Sequence, residues 1–79
     1  MPRYFFDLTM DDDLYPDTVG VEGPDATAMR REALNALSEM ARDAIRVGGD
    51  RRDLHMDVRD ADRQIIFTAC VALRARWLD

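Results

Sequence analysis

The spacing of hydrophobic positions along the chain predicts four elements, in the order strand, helix, strand, strand. Residues 3–8 place aromatic and aliphatic side chains in alternate positions, which is typical of a half-buried strand. Residues 26–47 repeat apolar side chains every three or four positions and contain neither Pro nor Gly, which predicts an amphipathic helix. Asp25 is suited to cap its amino end, and Gly48-Gly49 to end it.

Residues 54–72 are predicted to form a closing hairpin. The first strand of the hairpin alternates apolar with charged residues, so one of its faces is wet. The second strand is apolar on both faces, in the run Gln64–Leu73. A strand of that kind favours cover on both sides, yet the chain contains only one substantial helix. The second face of this strand therefore points to a partner.

A turn at residues 60–63 joins the two hairpin strands. With an even number of loop residues, Val58 is expected to lie opposite Ile65 and Met56 opposite Phe67. Both apolar rows then fall on one side of the sheet, whereas an odd number would turn one row away from the other.

The apolar run Gln64–Leu73 is expected at the centre of a three-stranded, mainly antiparallel sheet, with the hairpin partner on one side and residues 3–8 on the other. The first two long strands then run parallel but separated, joined by a right-handed crossover through the helix. The predicted fold class is α+β, a two-layer β-α-β-β domain over residues 1–79. Whether Leu14-Tyr15 forms a short strand, and whether the tail 73–79 is helical or mobile, stays open.

Length and charge restrict the possible functions. A chain of 79 residues allows one small core, which is marginally stable unless another subunit contributes. The formal net charge is −5, with sixteen acidic and eleven basic residues. This balance disfavours phosphate backbones as partners, because binding them relies on clustered Lys and Arg.

The single cysteine and the amino-terminal sequence predict a cytoplasmic protein. Cys70 cannot form an internal disulfide, which suits a reducing compartment. The first residues contain no apolar run long enough for a signal peptide. No stretch approaches the roughly 20 apolar residues that span a bilayer, so no membrane partner is expected.

The sheet face away from the helix is the predicted contact surface. Apolar side chains exposed together on a soluble chain usually mark association. We expect a homodimer packed through this face or through a sheet edge. The predicted interface residues are Phe5, Ile66, Thr68, Cys70 and Trp77.

The same face offers a cysteine–histidine pair. In the expected register His55 faces Thr68 and lies diagonal to Cys70, with Asp57 on the same strand. A thiol, an imidazole and a carboxylate are the components of a thiol nucleophile site. A structural or interfacial cysteine is preferred, because the sequence indicates no oxyanion hole and no helix amino terminus at the thiol. No catalytic residue is therefore assigned, and a thiol-dependent enzyme is the weakest hypothesis.

The acidic and basic clusters are interpreted as solvated surface. The segment Asp11–Asp13 with Asp17 lacks the spacing of a calcium loop, so no metal site is assigned. One His and one Cys do not suffice for an internal zinc site. Arg51 and Arg52 are weak nucleic-acid candidates, because aspartates interleave with them. No glycine pattern binds phosphate, and no cofactor is expected.

Motifs along most of the chain resemble a known family. They are the opening Arg3-Tyr-Phe-Phe, the element Gly20-Val-Glu-Gly-Pro-Asp25 that leads into a helix with Glu32-Ala33, and a closing hairpin with an Asp-rich turn. The chain is similar to domain of unknown function 6894, a family of short bacterial proteins. It departs from the family pattern at Gly23, at Arg63, where Gly often ends the turn, and in a longer tail with Trp77. The resemblance implies one compact domain and no particular activity.

Two hypotheses from different classes follow. The first is a protein–protein interaction module, most simply a homodimer. The second is an antitoxin-like regulator that contacts nucleic acid through a basic edge at Arg51 and Arg52.

Overall fold

The computed structural model describes residues 1–79 as one helix packed on an antiparallel five-stranded sheet. The elements are β1 (Arg3–Met10), β2 (Asp13–Tyr15), β3 (Val21–Glu22), α1 (Ala26–Val47), β4 (Arg51–Arg59) and β5 (Ile65–Arg74). The strand order is β2-β1-β4-β5, and β3 pairs with the start of β1. The α+β class is confirmed, and the short strands β2 and β3 join the three long ones.

Local signals at its two ends determine the bounds of α1. The Asp25 carboxylate accepts a hydrogen bond from the Ala28 amide at 2.8 Å, as the capping prediction requires. Beyond Val47, Gly48 and Gly49 have φ values of 101° and 105°, a region that favours glycine. The predicted helix is therefore confirmed from its first residue to its last.

The core lies between α1 and one face of the three long strands. Alternate residues of β1, β4 and β5 point towards the helix, and this is the helix face of the sheet. The opposite face is called the open face below. The buried core residues are Tyr4, Met29, Ala33, Leu37, Leu54, Met56 and Val58.

The central long strand is β4, and the prediction that Gln64–Leu73 is central was wrong. β5 lies at the edge of the sheet and pairs only with β4. The open face of β4 carries charged side chains that bind partners on both neighbours: Arg59 pairs with Asp7 of β1, and Asp53 with Arg74 of β5. A central position for β4 lets all these charges be paired.

The expected parallel crossover between the first two long strands was also wrong. β1 and β4 are antiparallel neighbours. Since β3 is likewise antiparallel to β1, β3 and β4 run parallel, and α1 connects them. The short strand β3, which the sequence pattern did not indicate, therefore supplies the start of the crossover.

The hairpin register differs from the expected one by two residues. Val58 lies opposite Phe67 and Met56 opposite Ala69. A β-bulge between Val58 and Arg59 and a longer turn each shift the pairing by one residue, so the apolar row stays on the helix face. The bulge pairs Ile65 with Arg59 and removes Ile65 from the core row, where the sequence had placed it.

The turn between β4 and β5 ends in a left-handed residue. Arg63 has a φ of 66°, and its amide donates to the Asp60 carbonyl at 3.1 Å. The Asp60 side chain accepts from the amides of Asp62 and Gln64. These bonds hold Arg63 in the left-handed conformation, which glycine adopts more readily.

The carboxyl-terminal tail begins later than expected. β5 continues to Arg74, and the Ala75 amide donates to the Asp50 carbonyl at 2.8 Å. Residues 75–79 form neither helix nor strand, and the Trp77 side chain is 92% exposed. The tail therefore leaves the open face uncovered. α1 lacks the apolar character that a bilayer-spanning helix requires.

Candidate functional site: the open face and the free edge of β5

The open face is a row of paired charges along β4. His55 Nε2 lies 2.8 Å from Asp57 Oδ1 and 3.1 Å from the Thr68 hydroxyl. Farther along the strand, Arg74 donates to Asp53 at 3.0 Å. The open face of the central strand is thus occupied by polar contacts within the chain.

The best-built cluster on this face joins Asp7, Arg59 and the loop at Asp17. The Arg59 guanidinium donates to both oxygens of Asp7 and to the Asp17 carbonyl. The hydrogen bond from Arg59 holds the pKa of Asp7 below its ordinary value, against the opposing effect of burial. Arg59 also lies over the Phe5 ring, 5.0 Å from its centroid.

Asp17 joins the loop between β2 and β3 to β1. Its carboxylate accepts hydrogen bonds from the amides of Phe6, Val19 and Gly20, at 3.0–3.1 Å. Burial of the carboxyl opposes ionisation, but these amide donors outweigh it and lower the pKa of Asp17. The bond from Phe6 replaces a strand hydrogen bond on the side of β1 away from β4, between the residues that pair with β2 and those that pair with β3. The cluster is therefore explained by the attachment of this loop to β1.

Gly20 completes the same loop. Its φ is 79°, and a Cβ there would lie 2.9 Å from the Phe5 ring and from the Tyr4 carbonyl. The sequence analysis interpreted Asp17 as part of a solvated acidic cluster and noted Gly20 only in the family motif, whereas the Asp17 carboxylate binds three backbone amides. The spacing of three residues between Asp17 and Gly20 is the available signal, because an Asp carboxylate commonly binds amides two or three residues ahead in a turn.

The predicted interface residues are not all brought together. Ile66, Thr68 and Cys70 lie in sequence along β5, at the sheet edge. Phe5 lies two strands away, half-buried beneath Arg59. Trp77 lies beyond the end of β5. The structure thus assembles three of the five residues into one surface.

The free edge of β5 is long and apolar. Ile65, Ile66 and Val71 are 60%, 40% and 37% exposed. From Phe67 to Leu73 the strand contains no charged residue and no Pro. We call this segment, with its unpaired side, the β5 edge. Natural sheets usually protect edges with charges, Pro or very short strands, and the β5 edge has none of these over this length.

The backbone N–H and C=O groups of successive β5 residues point alternately towards β4 and away from it. One hydrogen bond shows which residues point towards β4. The Ala75 amide donates to Asp50, so the residues of β5 two, four and six positions before Ala75 also direct their amides and carbonyls to β4. The residues between them direct theirs away from the sheet. The outward-directed residues in the β5 edge are Thr68, Cys70 and Ala72.

The opposite edge of the sheet is protected. β2 contains only Asp13, Leu14 and Tyr15, and Pro16 follows it. A short strand, a charge and an adjacent Pro all discourage the addition of another strand. The two edges of one small sheet thus differ in the property that decides strand addition.

An apolar groove borders the β5 edge on the helix face. It runs between the last turns of α1 and the end of β5, and its lining residues are Ala41, Ala44, Ile45, Arg52, Leu54, Val71 and Leu73. Ile45, on the rim of the groove, is 57% exposed. The apolar surface at β5 therefore continues from the strand onto the helix.

The cysteine–histidine pair differs from the expected arrangement. Cys70 lies opposite His55, and Thr68 is paired with Asp57. No hydrogen bond joins Cys70 to His55, and the Nε2 atom of His55 contacts Asp57 and Thr68 instead. The thiol is exposed on the open face.

The basic and acidic clusters bind one another. Arg52 donates to Asp11 at 3.2 Å, and Arg51 lies 3.7 Å from Asp53. The second oxygen of Asp11 accepts the Asp53 amide at 2.9 Å. No three or more His, Cys, Asp or Glu side chains are grouped as metal ligands would be.

Comparison with known proteins identifies one family. The family described as domain of unknown function (DUF6894) matches residues 3–72. No curated protein and no solved structure matches the chain. The matched range includes the Asp17 loop, the cluster around Arg59 and nearly all of β5.

Proposed function

Because the chain belongs to the family described as domain of unknown function (DUF6894), its role is inferred from its own surfaces, and we propose that it is a small cytoplasmic protein–protein interaction module. It acts as a homodimer, joined through the β5 edge. The observation that carries the proposal is the unprotected edge itself, an uncharged strand segment from Phe67 to Leu73 with one side unpaired.

Strand addition satisfies the groups that the β5 edge leaves unpaired. An added strand provides hydrogen-bond partners for the outward amides and carbonyls and covers exposed apolar side chains at the same time. The largest exposed apolar side chains next to this edge are Ile65, Ile66 and Ile45. Burying apolar surface contributes roughly 25 cal/mol per Å² before the entropy of association is subtracted.

A second copy of the chain is the simplest partner. Closed two-fold dimers are the commonest oligomers of soluble proteins, and they use one surface patch twice. An uncharged edge meets its own copy without repulsion between like charges. A small core also gains stability from a second subunit, which suits a chain of 79 residues.

No specific observation favours the other two functions. A nucleic-acid interface at Arg51 and Arg52 requires free basic groups, whereas Arg52 is bound to Asp11 and Arg51 lies beside Asp53. A thiol enzyme requires a base directed at Cys70, whereas His55 Nε2 is bound to Asp57 and Thr68. Both functions stay predictions from the sequence.

A charge placed in the β5 edge is expected to dissociate the dimer. Cys70→Asp introduces a carboxylate that two copies would have to bury against each other, while in the monomer it lies exposed beside His55. Light scattering at micromolar concentration is expected to give twice the chain mass of 9.1 kDa for the wild type and the single-chain mass for Cys70→Asp.

Leu14→Asp is the matched control, because Leu14 is 62% exposed on the protected edge at β2. Its mass is expected to equal that of the wild type. A wild-type protein that is monomeric throughout this concentration range would contradict the proposal.

A further inference from the structure

We infer that the second copy adds its β5 antiparallel to the first, about a two-fold axis through Cys70. This inference rests on the proposed function and specifies the geometry of its interface. Three properties of the β5 edge lead to it: the direction of its backbone groups, the position of its β-bulge, and the charges at its two ends.

The direction of the backbone groups limits the possible registers. Hydrogen bonds form only where an outward-directed residue of one copy faces an outward-directed residue of the other. The outward residues Thr68, Cys70 and Ala72 occupy alternate positions, so the axis must pass through a residue and never between two residues. Residues that face each other then share a sheet face, and both copies of α1 lie on the same side of a continuous sheet.

The β-bulge and the charges select Cys70 as that residue. β5 is regular after the bulge at Ile65 and Ile66, and its uncharged regular segment is Phe67–Leu73, whose middle residue is Cys70. Pairing about Cys70 matches this segment with itself over its full length. Thr68 then faces Ala72 of the second copy, and Cys70 faces Cys70, which gives about six hydrogen bonds.

Registers one residue away are less complete. An axis at Ala69 brings the irregular residue Ile66 opposite Ala72 and shortens the regular ladder. An axis at Val71 places the charged Arg74 opposite Thr68, within the apolar ladder. Only the axis at Cys70 keeps both the bulge and the charge outside the paired segment.

The charges at the ends of β5 favour an antiparallel copy. The turn before β5 carries Asp60, Asp62 and Arg63 and is negative in sum, whereas the end of β5 and the tail carry Arg74, Arg76 and Asp79 and are positive in sum. An antiparallel copy brings the positive end of each chain, with Arg76, towards the negative turn of the other, with Asp62. Neither Asp62 nor Arg76 has an ion-pair partner within its own chain. A parallel copy would place like charges together.

The helix face gains cover in the same arrangement. Val71 and Leu73, which line the groove beside α1, lie opposite Ala69 and Phe67 of the second copy. Side chains directly opposite on neighbouring strands approach to within about 5.5 Å at their Cβ atoms. The dimer therefore extends the apolar layer under the helices across the new strand pair.

Disulfide cross-linking of the native cysteine tests this geometry. Two residues opposite each other in a hydrogen-bonded pair have Cα atoms about 5.5 Å apart, within the Cα range of a disulfide, and a movement of about 1 Å between the two edge strands brings their Cβ atoms within bonding distance. With oxidised glutathione as the oxidant, wild-type protein is expected to form a covalent dimer through Cys70. The rate should be independent of protein concentration above the dissociation constant.

The control is Thr68→Cys combined with Cys70→Ser, which moves the single thiol to another exposed residue of the same face. Its two thiols lie four residues out of register in the dimer, so cross-linking requires collision of separate dimers. On the order of 100-fold slower cross-linking is expected at micromolar concentration, since neighbouring groups have millimolar effective concentrations.

The outcomes separate the geometry from the dimer itself. If Thr68→Cys in the presence of Cys70 cross-links fast while the wild type does not, the axis lies at Ala69; if Ala72→Cys with Cys70 does so, it lies at Val71. Either result contradicts the register about Cys70 but not the homodimer. A protein that is dimeric by light scattering and never cross-links does the same. A monomeric mass contradicts both the homodimer and its register.

Discussion

Cys70→Pro is expected to give a folded monomer, whereas Ala69→Pro is expected to unfold the protein. The Cys70 amide points away from the sheet, so proline at that position removes no hydrogen bond within the chain. It does remove a bond across the proposed interface and places its ring where the second strand must approach. The Ala69 amide points into the sheet towards β4, and proline there is expected to cost about 3 kcal/mol or more.

The comparison requires two measurements on both variants. Circular dichroism reports whether the helix and the sheet are present, and light scattering reports the mass. Cys70→Pro is expected to keep the spectrum of the folded chain and to dimerise at least about 100-fold more weakly. This change corresponds to a loss of about 2–3 kcal/mol of association free energy. Ala72→Pro, another outward position, should behave in the same way. A folded Cys70→Pro variant that is still dimeric would contradict pairing through this edge.

Asp17→Ala is expected to destabilise the fold by about 2–4 kcal/mol, although Asp17 lies far from β5 in the sheet. The substitution leaves the amides of Phe6, Val19 and Gly20 without their acceptor, and hydrogen bonds to a charged group contribute about 1.5–3 kcal/mol each when well shielded from water. Asp17→Asn keeps one acceptor oxygen and should lose less. Urea unfolding at one fixed protein concentration measures the difference, because dimerisation makes stability concentration-dependent.

The stabilisation of the fold by the Asp17 carboxylate is expected to disappear in acid. The pKa values of Asp7 and Asp17 are lowered in the folded chain, so their carboxylates stabilise it fully above the unfolded-state pKa of about 3.9. This stabilisation is lost as the pH falls from there through the lower folded-state pKa values. The stability difference between wild type and Asp17→Ala should therefore shrink below pH about 4. A difference that stays constant down to pH about 2 would contradict the role of the ionised carboxylate.

Local features of the fold could be predicted from the sequence. The bounds of α1 follow from an Asp cap, a run without Gly or Pro, and a Gly pair, all of which act within a few residues. The apolar rows of β1 and β4 follow from alternation. The row of β5 does so only from Phe67 onward, because a bulge that no local signal marks turns Ile65 out of the core.

The order of the strands could not be predicted in the same way. The apolar character of Gln64–Leu73 on both faces was interpreted as central, but the central strand is β4, whose charged side chains have partners on β1, distant in sequence, and on β5, its hairpin neighbour. The same property that suggested a central strand is equally consistent with an edge that another chain covers. Of the two surfaces expected for a partner, the open face and a sheet edge, the proposal therefore uses the unpaired side of this strand.

Only part of the candidate site was predicted, because its assembly depends on the strand order. Ile66, Thr68 and Cys70 were selected as the row of one strand that faces away from the helix, and the structure keeps them together on that strand. Phe5 was selected as an exposed aromatic residue, yet Arg59 lies over its ring. That contact depends on the pairing of β1 with β4, which the expected sheet order did not contain.

Amide hydrogen exchange along β5 is the most direct test of the β5 edge as a dimer interface. In a monomer, the inward amides of Ala69 and Val71 exchange slowly, and the outward amides of Thr68, Cys70 and Ala72 exchange as fast as exposed groups. In the proposed dimer all of these amides are protected, and the protection of the outward set falls on dilution and in Cys70→Asp. Fast exchange at Thr68, Cys70 and Ala72 in concentrated wild-type protein, with Ala69 and Val71 protected, would show that no strand is added at this edge.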